Sequence, residues 1–404
     1  MMMARRVSQS NIQMTYDGLF GLFVVFVVCD FMIANLVMLA LAPLFLFRLK
    51  EYKSEILEKI KQPAFVVFFT FVFYAYLRLV VIGSFDEKIF RLLILPLLVM
   101  LLSFQIKEWN YSYLGFIGAA FVMSLWGLFN IVHRYIYDGI YDMTSGSIIN
   151  ELLIVQRPFL GFILVTACLL SIHFSNLLIR YRFIFYFLAV FFASYIVIIS
   201  ARMAFLSIVF IGVLYLLFYS KGGVFKKLIS TAVFVSGFGL LVFLTPSLSN
   251  RFVLNERFET IQNQLKDYEP RVTIWECGFG IISKADFNVL FGIGSQEEIV
   301  EAMVACYAGI QDNLSRRDYF IAERFHLHNQ FLDTYAMFGL IGLVLFISYF
   351  ALIFFKNKSS FIPTAILVSI LSFCMVDLVF YFQIGIYLFA ILSVFCLNFK
   401  QAFS

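Results

Sequence analysis

Long apolar runs alternate with short polar connections along nearly the whole chain, and one polar stretch, about residues 247–331, stands apart. A helix needs about 20 apolar residues to cross a bilayer. Runs near that length fall at about 13–30, 33–48, 63–82, 89–105, 111–132, 155–175, 183–201, 203–219, 228–245, 333–355, 361–378 and 381–398. They do not show the short alternating segments of a membrane barrel. The pattern predicts an all-α polytopic membrane protein with about 12 transmembrane helices and one large, partly helical loop. The chain then divides into 1–246 with nine spans, the loop at 247–331, and 332–404 with three more. An even number of spans places both termini on one side. Inside the loop, Phe258, Ile261 and Leu265 recur at helical spacing. Pro270 opens a second helix there, with Val272, Trp275, Phe279 and Ile282 along one face.

Composition agrees with this reading. Hydrophobic residues make up 62% of the chain and charged residues 14%, where a soluble domain carries about 25% charged residues; mean hydropathy is +0.93. The net charge of +5 is modest and points to no nucleic-acid partner. Short connections on one face collect Arg48, Lys50, Lys53, Lys59, Lys61, Lys107, Arg180, Arg182, Lys221, Lys226, Lys227, Lys356 and Lys358, with Arg5, Arg6 and Lys400 near the termini. The positive-inside rule assigns that face and both termini to the cytoplasm. The loop then lies outside, which in a bacterium means the periplasm or cell exterior, and the expected location is the inner membrane. Arg5 and Arg6 are followed by polar residues, and no small-residue cleavage site precedes Asp30, so the first span reads as retained.

Of six cysteines, Cys29, Cys168, Cys374 and Cys396 fall in or at spans and read as small apolar packing residues. Cys277 and Cys306 share the loop, where pairing in an oxidising compartment stays open because sequence does not supply the geometry. Zinc-ligand spacings, a Walker motif and a dinucleotide fingerprint do not occur. His326 and His328 are two apart and face oppositely on a helix. No metal and no cofactor is expected.

The residues able to do chemistry gather at the outer ends of the spans. Arg202 lies in Ser200-Ala201-Arg202, at the tight turn inside the apolar run 183–219. It is either a snorkelling interfacial cation or a functional one. Arg271 falls in the first turn behind Pro270, where the helix dipole disfavours a cation. It answers an anion there, or pairs with Glu269 or Asp267. Arg78 and Arg157 are similarly placed and are further pocket residues; Asp30 and Asp377 at other hairpins are interface residues or counter-ions of these arginines. His328-Asn329 closes the loop, nine residues before Gly339-Leu340-Ile341-Gly342. Asn329 suits the cap of the next span, and the two glycines suit close helix packing. His328 is the proton-transfer candidate; His326 reads as structural, at most a pocket residue. Arginine forks match phosphate oxygens, and a neutral imidazole can take a hydroxyl proton. Those parts suffice for glycosyl transfer from a lipid diphosphate without a metal.

The chain resembles the O-antigen ligase superfamily, which includes ligases and related polymerases. The resemblance rests on His328-Asn329 with Gly339 and Gly342, on Arg271-Val272-Thr273-Ile274-Trp275 with Leu290-Phe291-Gly292-Ile293-Gly294, and on Ser200-Ala201-Arg202. It implies a GT-C-like, metal-independent glycosyltransferase using an undecaprenyl-diphosphate-linked glycan donor. A ligase would pass the glycan to lipid A–core oligosaccharide, and a polymerase to another lipid-linked glycan. His328 would be the base, with Arg202 and Arg271 on the diphosphate. A protein O-glycosylating member of the superfamily is a further alternative. A flippase is the rival class, but it calls for charges along a central membrane path, and here they sit at span ends and in the loop.

Overall fold

The computed structural model describes residues 2–83, 87–138, 151–244, 269–310 and 313–399, with the backbone alone at 2–10 and 87–92. Every regular element among them is helical. The first part of the chain contributes α1 (Met2–Cys29), α2 (Phe31–Ile60), α3 (Pro63–Ile82), α4 (Glu87–Ser103), α5 (Asn110–Asp138), α6 (Arg157–Leu177), α7 (Arg182–Ile198), α8 (Arg202–Leu214) and α9 (Val224–Leu244). Three shorter helices follow, α10 (Pro270–Ile282), α11 (Gln296–Ala308) and α12 (Leu314–Glu323). The chain then returns to long apolar helices with α13 (Gln330–Asn357), α14 (Phe361–Cys374) and α15 (Gln383–Asn398). Nine helices among the described residues are long and apolar enough to cross a membrane, and three shorter apolar ones accompany them. The protein is a polytopic α-helical membrane protein, and each expected span falls on one of these helices.

Burial grades the helices from centre to rim. Nearly all of α15 and most of α6 are inaccessible, including Leu164, Leu170, Leu388 and Leu392. α1 packs on α5 and α2, α6 on α7, α3 on α13, and α4 on α15. α9 buries none of its residues, although it is mainly apolar beyond Lys226 and Lys227. A helix that is apolar all round and exposed at the rim is one solvated by lipid. α2 runs past the expected end of its span at 48 to Ile60. Its Lys- and Glu-rich tail is helix-favouring and is anchored at the basic end of the bundle, where the Lys59 amine donates to the Phe104 carbonyl at 2.7 Å and Glu55 pairs with Lys107.

The opposite end carries α10–α12. The Phe258, Ile261 and Leu265 repeat, like residues 247–268 of the loop as a whole, lies outside the described residues. α10 begins at Pro270 as expected, but its buried face is not the expected one. Thr273, Ile274, Cys277, Gly278 and Ile281 are buried, while Val272, Trp275 and Ile282 are half-buried and Phe279 is 56% exposed. Two tertiary contacts set this rotation. Cys277 is bonded to Cys306 of α11, and Gly278 lies so close to Leu327 and Leu332 that a Cβ would come within 2.5 Å of the Leu327 side chain.

α13 is broken at Gly339, whose φ of 65° and ψ of −166° are not helical. The break frees backbone groups that a straight helix would consume, and the segment Val289–Gly294 takes them up. Ile293 N–H donates to Ala336 O at 2.8 Å and Gly294 N–H to Met337 O at 2.9 Å, while Leu340 N–H donates to Val289 O at 2.8 Å. Tyr74 of α3 donates its hydroxyl to Phe338 O at 2.9 Å. Gly292, at φ 67°, meets the break so closely that a Cβ there would lie 2.6 Å from the Gly339 nitrogen. The close packing expected at Gly339 is therefore helix against loop, not helix against helix. Gly339→Ala should add left-handed strain of about 1–3 kcal/mol and force a Cβ to within 2.3 Å of the Leu290 carbonyl group. A clearly lowered thermal midpoint in detergent is expected, and a wild-type midpoint would show that Val289–Gly294 is not held as described.

Candidate active site

Four separated stretches of sequence meet at the loop end of the bundle: the α7–α8 turn, the start of α10, the segment before α13, and the α14–α15 hairpin at 375–382. The α7–α8 turn is tight because Ser200 adopts φ 49°, which lets Arg202 begin α8 directly. Arg271 is the second residue of α10. Glu269 joins the two cations, its Oε2 lying 2.8 Å from Arg202 Nη2 and its Oε1 3.0 Å from Arg271 Nη1. All three side chains are about a quarter exposed, so the cluster is open to solvent on one side. Among the described residues, two cations meet one carboxylate here, a net charge of +1. The first turns of α8 and α10 end there as well, and helix N-termini carry partial positive charge. The pairing of Arg271 with Glu269 therefore holds together with a second arginine on the same carboxylate. Asp267, the other acid considered for it, lies outside the described residues.

Arg271 also connects this cluster to the imidazole. Its Nε donates to the Val376 carbonyl at 2.8 Å. The next residue, Asp377, has a side chain only 7% exposed, and its Oδ1 lies 3.4 Å from His328 Nδ1. That is an ion-pair distance, longer than a well-formed hydrogen bond. Asp377 Oδ1 is fixed by the Leu378 N–H at 2.8 Å. Along the hairpin, Val376 thus meets the cationic cluster and Asp377 meets the imidazole.

His328 sits at φ 43°, in the left-handed region. Trp275 Nε1 donates to its carbonyl at 3.4 Å. Asn329 caps α13, its Oδ1 accepting from the N–H groups of Phe331 and Leu332 at 3.0 Å each. The cap and the left-handed turn fix where the ring leaves the backbone. His326, two residues earlier, turns elsewhere: its Nδ1 is 3.1 Å from Gln296 Nε2, and its ring lies 3.9 Å from that of Tyr381.

The remaining arginines are placed differently. Arg78 donates from Nε to Phe291 O at 3.1 Å and from Nη2 to Gly292 O at 3.2 Å, and it stacks over the Phe291 ring. Its guanidinium staples Val289–Gly294 to α3. Arg157 is the first residue of α6. Among the described residues no group of three His, Cys, Asp or Glu side chains is arranged to hold a metal ion. Sequence reasoning missed two roles. Asp377 faces His328 instead of an arginine, and Glu269 bridges two cations instead of one. An acid at a hairpin was a visible signal for the first; only chain folding reveals its partner.

Fold and site define a multi-pass helical membrane protein with a cationic cluster beside a carboxylate-oriented imidazole at one end of its bundle. Residues 187–347 match the family model described as O-antigen ligase, and this match supports the resemblance to the O-antigen ligase superfamily. The matched segment contains Arg202, Arg271 and His328; Arg78, Arg157 and Asp377 lie outside it. No curated protein matches the chain.

The Cys277–Cys306 bond ties α10, which carries Arg271, to α11, which carries Gln296. Cys29, Cys168, Cys374 and Cys396 are free. Alkylation of the denatured protein without reductant should label these four thiols only, and all six after reduction. Six labelled thiols without reductant would rule out the bond in the protein as isolated from cells.

Proposed function

We propose that the protein is an O-antigen ligase, moving a glycan from undecaprenyl diphosphate to a hydroxyl of lipid A–core oligosaccharide. The observation that carries this reading is the continuous contact path Arg202–Glu269–Arg271–Val376–Asp377–His328. It sets an anion-binding cluster beside a base. The acceptor hydroxyl attacks the anomeric carbon of the donor sugar, and the bond from that carbon to the diphosphate oxygen breaks. His328 Nε2 takes the hydroxyl proton. Asp377, facing Nδ1, holds the tautomer with its lone pair on Nε2 and stabilises the imidazolium that forms. Arg202 and Arg271 bind the departing diphosphate, where negative charge develops. Glu269 keeps the two guanidinium groups together until the diphosphate arrives.

The proposed location is the inner membrane, with both termini cytoplasmic and the site periplasmic. Two features support this orientation. The Lys- and Arg-rich connections lie at the opposite end of the bundle from the site. A disulfide beside the site suits an oxidising compartment. The proposed reaction is metal-independent, because side chains serve both the proton and the leaving group.

Purified protein supplied with a lipid-linked repeat unit, with and without lipid A–core, tests the reading. One glycan transferred to core is expected; a ladder of products on the polyprenyl carrier would identify a polymerase instead. In the same assay His328→Ala should lose about 10²–10⁴-fold in rate, the usual contribution of a positioned base, with its fold intact by thermal unfolding. Near-normal transfer by that variant would remove His328 from the mechanism. Arg202→Lys and Arg271→Lys should each lower activity sharply, because a point charge does not replace the fork; full activity in both would count against diphosphate clamping. Transfer should continue in EDTA, and loss of activity restored by a divalent ion would overturn metal independence.

A further inference from the structure

We infer that a separate cavity beside the site, of about 480 Å³, binds the saccharide of the acceptor. This rests on the glycosyltransferase reading for the word acceptor, but not for the saccharide. The cavity is walled by α11, the end of α12, the first turns of α13 and Phe380–Tyr381 of the α14–α15 hairpin, with Phe71 of α3 and Leu93 of α4. Its size falls within the ~300–1,000 Å³ usual for small-molecule sites, which leaves room for a short saccharide.

The chemistry of the wall selects the occupant. Asp333 lines the cavity, and its Oδ1 is buried with no hydrogen-bond partner. A buried carboxylate oxygen left in that state is costly, so the cavity calls for a ligand that donates. Gln296 hydrogen-bonds this carboxyl group and His326, which leaves Asp333 Oδ1 as the oxygen without a partner and presents the amide to the cavity. Glu297 and Glu323 add two more acids, against Arg324 as the one cation among the described residues of the wall, and Arg324 is itself paired with Glu301. With His326 neutral the wall is net negative, and a phosphate or an acidic lipid headgroup is repelled. A neutral polyol is not. Each sugar hydroxyl both donates and accepts, which matches a wall of carboxylates, amide and guanidinium. Tyr381 and Phe380 supply aromatic surface for the apolar face of a sugar ring.

Position supplies the role. The α14–α15 hairpin touches Arg271 at Val376, His328 at Asp377, and the cavity at Phe380 and Tyr381. Gln330 reinforces this order, lining the cavity while its Oε1 accepts from the Phe380 N–H at 2.9 Å. The imidazole lies between the leaving-group cluster and the cavity along this element. A hydroxyl delivered from the cavity side reaches the base without crossing the diphosphate.

The test uses the full chain in nanodiscs and a probe defined by preparation, the soluble core oligosaccharide released from the producing bacterium's own lipopolysaccharide. Binding is followed by saturation-transfer NMR. Wild type and Arg202→Ala should bind it alike, and inorganic pyrophosphate should not displace it. Asp333→Asn and Gln296→Ala should weaken it about tenfold to a hundredfold, as expected for lost hydrogen bonds to or beside a charged group, with unchanged thermal midpoints. Undiminished binding in both variants, displacement by pyrophosphate, or no binding by wild type overturns the site. In the transfer assay Asp333→Asn should raise KM for the acceptor alone; a raised donor KM would refute the acceptor assignment. Wild type that binds the saccharide but transfers nothing would count against the glycosyltransferase reading and leave the saccharide site standing.

Discussion

The break in α13 at Gly339 is the constraint on which the rest of the functional end depends. A membrane helix satisfies its own backbone, and irregular structure at its depth is tolerated only where other groups take over those bonds. Here Val289–Gly294 takes them over, helped by Tyr74 and Arg78. The docking pulls the chain after α10 back onto the bundle. It thereby fixes the start of α13, and with it Asn329, His328 and the wall of the neighbouring cavity. Two glycines at positive φ, Gly292 and Gly339, permit an approach that no side chain would allow.

Around this anchor the site is built from groups that are each only partly satisfied. Glu269 divides its two oxygens between two arginines. Asp377 is held by a backbone N–H and stands slightly too far from His328 for a tight bond. Such geometry leaves room for the cluster to re-form around a substrate, since catalytic hydrogen bonds often tighten only once a ligand is bound. Arg78 is the instructive contrast. It is the same residue type as Arg202, yet its guanidinium is committed to two backbone carbonyls and an aromatic face. Residue type did not separate a structural arginine from a candidate ligand-binding one; the partners did, two backbone carbonyls of Phe291 and Gly292 for Arg78 and the shared Glu269 carboxylate for Arg202 and Arg271.

Much of this organisation was legible in the sequence because its cause is local. Apolar runs reveal spans directly, and Pro270 and Asn329 announce helix starts through single-residue backbone chemistry. The short-range His328–Gly339 spacing and the Ser200-Ala201-Arg202 turn marked where to look. The rotation of α10 was not legible, because the disulfide at Cys277 and the close contact at Gly278 outweigh a periodicity that pointed to Val272 and Phe279.

The sequence by itself determined the class of protein, the positions of the spans, and the residue types that could bind an anion and move a proton. Each follows from forces acting within one helix or turn: apolar transfer into lipid, capping, and the charge of a side chain at a helix end. Only the tertiary structure decided the pairings. Asp377 lies 49 residues beyond His328 and Glu269 lies 67 beyond Arg202 in the sequence, and no local rule assigns one to the other. Their meeting depends on how the helices pack and where α13 is broken, so the partners of His328 and Arg202 are properties of the fold.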